Sequence, residues 1–174
     1  MILDALLAFD NNVLVNPSGT TQDSTNIIDL GIVSGIPSYA NGGGARDIGI
    51  GDDPAMKLMV QVMTTYSGGT SLSITLEGAV DSGTGTPAAF SAWWASPAYA
   101  TATLVAGARL LDMDMPRPPA GIAVPRFLKL VYTGVGAVTG YLSSFIVLDR
   151  DDQMYNSTAN QTMGGYQAGI NVAN

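Results

Sequence analysis

Lys57-Leu58-Met59-Val60-Gln61-Val62-Met63-Thr64-Thr65-Tyr66, then Ser67-Gly68-Gly69-Thr70, then Ser71-Leu72-Ser73-Ile74-Thr75-Leu76-Glu77: this stretch decides the fold. Leu58, Val60, Val62, Thr64 and Tyr66 recur at every second residue, the period of a strand with one buried face. Lys57, Gln61 and Thr65 fall on the other face, where Met59 and Met63 interrupt the polar pattern. Leu72, Ile74 and Leu76 then alternate with Ser73, Thr75 and Glu77, and the Ser-Gly-Gly-Thr between the runs has turn chemistry. The pair is predicted to be a β-hairpin.

Working outward, the same alternation predicts strands near Ala89–Ala95, Tyr99–Val105 and Arg109–Met113. Arg126–Thr133 and Val138–Leu148 form a second expected hairpin around Gly134-Val135-Gly136. The Pro-rich run Met115–Pro125 cannot lie in a central ladder, because proline has no N–H to donate, so it is expected to cross between sheets. With an earlier strand at Asn26–Val33 the set numbers seven or eight, which suits a sandwich or jelly roll. Apart from a turn or two at Ile2–Ala8, no helix is expected. The predicted fold is all-β, a jelly-roll-like β-sandwich over residues 26–152. An N-terminal arm (1–25) precedes it and an extended C-terminal tail (153–174) follows.

Composition limits the chemistry. The 174 residues include no histidine, no cysteine and one glutamate, Glu77. Acid-base work near neutral pH falls most often to histidine, and covalent catalysis needs a nucleophile beside a base. The expectation is a protein that is not an enzyme and holds no cofactor or metal. Asp112-Met113-Asp114 and Asp149-Arg150-Asp151-Asp152 offer carboxylates to a hard cation but lack calcium-loop spacing, and are read as strand-end turns. Gly42-Gly43-Gly44-Ala45-Arg46-Asp47 is glycine-dense, yet no lysine follows in a phosphate-loop position. It is read as a loop pressed against another chain, with Arg46 and Asp47 as candidate contacts.

Only 12% of residues are charged, about half the usual share, so much of the surface is expected to be covered in the working state. Net charge is −7 and the seven Lys and Arg residues are scattered, which disfavours nucleic acid and anionic membranes as partners. The apolar window Val135–Leu148 is broken by Gly, Ser and Thr and does not suit a membrane span. Met1–Leu7 is too short for a signal peptide, with Asp4 where basic residues would stand. Gln153–Asn174 carries no charge but keeps Met154, Tyr155, Met163, Tyr166, Ile170 and Val172, a composition suited to lying on protein. Adjacent Trp93 and Trp94 should point to opposite sides of a strand. One is expected in the core and the other, Trp94, at an interface, or alternatively as a sugar-stacking platform in a carbohydrate- or receptor-binding module of a phage tail. Leu3, Leu6, Phe9, Tyr155 and Tyr166 complete the candidate contacts.

Taken in order, several motifs resemble the cement proteins of tailed-bacteriophage capsids, the Bbp16-like family. They are Met1-Ile2-Leu3-Asp4, then Ser24-Thr25-Asn26-Ile27-Ile28-Asp29-Leu30-Gly31, then Ala45-Arg46-Asp47-Ile48-Gly49-Ile50-Gly51, and Pro125-Arg126-Phe127-Leu128-Lys129-Leu130 with Leu148-Asp149 closing the last strand. The likeness runs from about Met1 to Tyr155; the tail beyond has no counterpart in the pattern. The resemblance implies a jelly-roll or related sandwich that assembles as a homo-oligomer, dimer or trimer, on the outer surface of the virion capsid. There it would bridge major capsid protein subunits, with no catalytic residues to carry over.

Overall fold

Ten strands form the body of the protein in a computed structural model, which describes residues 5–31, 56–117, 120 and 125–147, and the backbone of 155–156 and 161–162. They are β1 (Ala8–Val15), β2 (Thr21–Asp23), β3 (Ile28–Asp29), β4 (Lys57–Ser67), β5 (Ser71–Ala79), β6 (Ser91–Ala95), β7 (Tyr99–Ala100), β8 (Arg109–Asp114), β9 (Phe127–Val135) and β10 (Thr139–Val147). Two short pieces, β11 (Tyr155–Asn156) and β12 (Gln161–Thr162), pair with each other. No α-helix occurs among the described residues; single 3-10 turns cover Ala5–Leu7 and Thr101–Thr103.

One sheet has the order β1-β10-β4-β8, and the other β2-β9-β5-β6, with β3 beside β9 and β7 beside β5. Every pairing is antiparallel. With β2 and β3 counted as one interrupted strand, and β6 and β7 likewise, this is the eight-stranded jelly roll of two packed sheets. The expected class stands. The crossover after β8 also behaves as its prolines require, since β8 and β9 lie in different sheets.

Both expected hairpins are corrected. β4 and β5 follow each other across a four-residue turn but belong to different sheets, as do β9 and β10; the partners are exchanged, β4 with β10 and β5 with β9. The two glycine turns press on each other. Gly68, Gly69 and Gly136 have φ of 69°, 58° and 79°, and a Cβ on Gly136 would stand 3.0 Å from Gly69 Cα. Only glycine supplies that backbone without a steric penalty and leaves room for the second turn. Thr70 N donates to Val135 O at 2.8 Å or less, 2.7 Å, locking the stack.

The expected arm is also different from what forms. Ala8–Val15 is a strand of the first sheet, and Thr21–Asp23 opens the second. Phe9, offered as a contact for a partner, is fully buried in the core with Val15, Leu58, Val60, Leu76, Leu130 and Ile146. Burying a side chain of that kind stabilises by roughly 1.5–3 kcal/mol before entropy is charged. The Tyr99–Val105 strand is cut to two residues followed by a 3-10 turn, and Asn26–Val33 is represented by Ile28–Asp29, Val33 lying outside the described residues.

The ends of the sandwich are unlike. At one, tight turns join strands: Gly19 N donates to Gly136 O, and Thr70 N to Val135 O. At the other, Lys57 sits opposite Val147 and Asp114, and Phe127 opposite Asp29 and Ala79. From this second end the chain departs into residues 32–55, 118–124 and 148–174.

Candidate functional site: two seams and a face of ion pairs

Bulges redirect side chains at two places that matter. Between Ala8 and Asp10 the register of β1 shifts against β10, so Phe9 and Asp10 both turn inward instead of alternating. Asp10 is 1% exposed, and its Oδ2 accepts from Tyr132 Oη at 2.5 Å and Ser144 Oγ at 3.0 Å. Its Oδ1 accepts the Thr25 N–H at 2.8 Å. Burial first, and the Asp10 charge second, push the Tyr132 and Tyr66 phenols above their usual 10.0, so both remain protonated at neutral pH. A buried carboxylate held by hydroxyl and amide donors in this way is a structural knot.

Around Asp10 the seam between β1 and β2–β3 is closed by hydrogen bonds from sheet to sheet. Asn26 N donates to Phe9 O at 3.0 Å, and its Nδ2 donates to Ala8 O at 3.1 Å. Gln22 Nε2 reaches Leu14 O at 2.9 Å, while Gln22 Oε1 accepts from Asn16 N at 2.8 Å.

The opposite seam lies between edge strands β6–β7 and β8. Here a shift between Leu76 and Glu77 leaves Trp93 as the extra residue of β6. Trp94 stands opposite Leu76, and Trp93 covers Gly78, where a Cβ would come 2.5 Å from the indole. Both tryptophans are therefore half-buried and packed against the core, with Tyr99, Ala108, Leu110 and Met113 beside them. The expectation that adjacent tryptophans diverge is overturned by the bulge, and neither ring forms an exposed sugar platform. Tyr99 Oη donates to Leu110 O across the seam at 2.7 Å. Trp93 Nε1 is buried with no hydrogen-bond partner.

The outer face of the second sheet carries paired ions. Arg126 grips Asp29 with two hydrogen bonds, at 2.8 and 3.0 Å, and also pairs with Asp81. The Arg126 guanidinium holds the Asp29 carboxyl below its usual 3.8. For Asp81 the Gly83 and Gly85 amides do most of the same work, with Arg126 adding to it. Lys129 lies between Asp23, at 2.7 Å, and Glu77, at 3.3 Å, over the Phe90 ring. Burial opposes its ammonium, but the two carboxylates outweigh that and raise its pKa. On the first sheet Arg109 pairs with Asp112 and Lys57 with Asp114.

Every carboxylate among the described residues is thus held by a partner. No group of three or more metal-ligating side chains occurs among them, and no helix among them is long and apolar enough to cross a membrane.

Of the expected contacts, Leu6 is 67% exposed beside the start of β1, and Phe9 and Trp94 face the core. Tyr155 lies in β11, paired through its backbone with Thr162. Leu3, Arg46, Asp47 and Tyr166 fall outside the described residues. Sequence reasoning missed Asp10, Tyr132 and Ser144. The signal for Asp10 was an acid directly after a core phenylalanine, which period-two reading assigns to the solvent face.

A protein-family model described as Bbp16 matches residues 18–146, more than half of the chain. No curated protein matches it.

Proposed function

The chain belongs to the Bbp16 family, and from that premise we propose that it is a capsid cement protein. It lies on the outer surface of a phage head, itself oligomeric, and bridges major capsid protein subunits. The observation that carries this reading is the fate of the reactive groups: Asp10, Asp23, Asp29, Glu77, Asp81, Asp112 and Asp114 are all engaged in holding the sandwich together. A protein whose titratable side chains are bound up in its own framework works by surface and shape. Stable protein interfaces bury roughly 1,200–2,000 Å², and repetition over a lattice multiplies modest contacts through effective concentration.

Low charge supports the same reading, because an uncharged segment lies on protein without stranding an ion. The uncharged Gln153–Asn174 segment is assigned to that role. Co-sedimentation with shells that lack the protein tests the proposal. The full chain is expected to bind and to raise the temperature at which the shells open, and removal of Gln153–Asn174 to weaken attachment. Absence of binding by the full chain overturns the cement reading.

A further inference from the structure

A jelly roll exposes four sheet edges, and three of these are guarded. β1 is broken by two register shifts, with Asn12 at a φ of 52°. β2 and β3 are three and two residues long. β8 carries Arg109, Asp112 and Asp114. Bulges, brevity and charge are the devices by which natural sheets avoid pairing with other chains.

β6 carries less protection. Its five residues, Ser91-Ala92-Trp93-Trp94-Ala95, include no charge and no proline, and Ser91, Ala92 and Ala95 are exposed. The bulge lies at Trp93, inside the strand, and leaves the Ser91–Ala92 register intact against Gly78 and Glu77. No charged residue occurs anywhere from Ser82 to Ala108. An ionic partner brought here would be desolvated without a counter-ion, whereas an uncharged strand would not. Small side chains leave the ladder accessible, and the half-buried Trp93, Trp94, Leu110 and Met113 supply apolar footing beside it.

Resting on the capsid reading above, we infer that β6 is a strand-accepting edge. An extended, uncharged segment of the shell protein adds to it as a further strand of the second sheet. Main-chain hydrogen bonds supply the attachment, and the seam takes alternate side chains, as in other strand-addition complexes. The charge match selects the occupant: both edge and added strand are free of ions.

Hydrogen exchange on the full-length protein, free and bound to shells lacking it, tests the inference. Amides of Ser91–Ala95 are expected to slow by about tenfold or more on binding, because added strands protect the edge ladder. Ser91→Pro and Ala92→Pro provide a second measurement. N–H groups of adjacent strand residues point to opposite sides, so the variant that keeps its melting temperature is the one that removes an outward donor. That variant is expected to bind shells about tenfold more weakly. Binding with no protection at Ser91–Ala95, or binding undiminished by that proline, overturns the inference while leaving the cement reading intact. Protection that grows with concentration in the free protein assigns the edge to a second copy and also overturns it. Failure of the unmodified chain to bind shells overturns both.

Discussion

The two seams of this sandwich close the same gap by different means. On the β1 side, Asn26, Gln22 and Thr25 stitch one sheet to the other, with Asp10 and its hydroxyl donors beneath. On the β6 side, half-exposed tryptophans and methionine cover the gap, Tyr99 makes a bond across it, and a buried indole N–H goes unpaired. Hydrogen bonds fix distance and direction, whereas aromatic cover tolerates sliding and exchange of neighbours. The difference separates the margin built for permanence from the one suited to receiving something.

The largest test strikes the stitched seam. Asp10→Ala leaves the Tyr132 and Ser144 hydroxyls, both fully buried, without their acceptor, and is expected to cost about 3 kcal/mol in a urea titration. A loss under about 1 kcal/mol would remove the basis for calling this seam the stronger. Trp93→Ala opens space over Gly78 on the other side. Because the ring is only half-buried, the expected loss is about 2 kcal/mol, below the usual core value, and hydrogen exchange across β1 should be unchanged. Asn26→Ala removes a single stitch to Ala8 O and should cost about 0.5–1 kcal/mol.

The smallest effect belongs to the ions outside both seams. Asp29 and Asp81 have their pKa held below 3.8 in the folded protein. Their contribution is therefore complete above that value and is lost as pH falls through the depressed folded values. A shallow decline in melting temperature is expected below about pH 4. Arg126→Met should reduce that decline, chiefly through Asp29, since the Gly83 and Gly85 amides continue to hold Asp81. A decline left unchanged by the substitution would place its origin elsewhere.

Alternation made most of the architecture legible. Leu58, Val60 and Val62, and Leu72, Ile74 and Leu76, all enter the core as their period requires. Two physical facts were hidden. Alternation states which face of a strand is buried but not which strand lies beside it, so Ser67–Thr70 suggested a hairpin where the chain passes between sheets. Bulges also insert one residue and turn two neighbours to the same side. That is why Phe9-Asp10 and Trp93-Trp94 misled, for nothing in either dipeptide announces the shift. The candidate surface depended on those inserted residues and was correspondingly less legible than the core.

The pairing of β1 with β10 sets a condition on how the protein is made. Ala8 lies against Phe145, and Asp10 depends on Tyr132 and Ser144, so the first strand finds its partners only after nearly the whole body has been synthesised. Until then, its carboxylate must remain in water and its apolar residues uncovered. Closure of so long a loop is entropically costly and slows folding. Refolding is thus expected to be slow, with the β1 amides among the last to gain protection. Truncation before Phe145 should leave a chain unable to complete its first sheet.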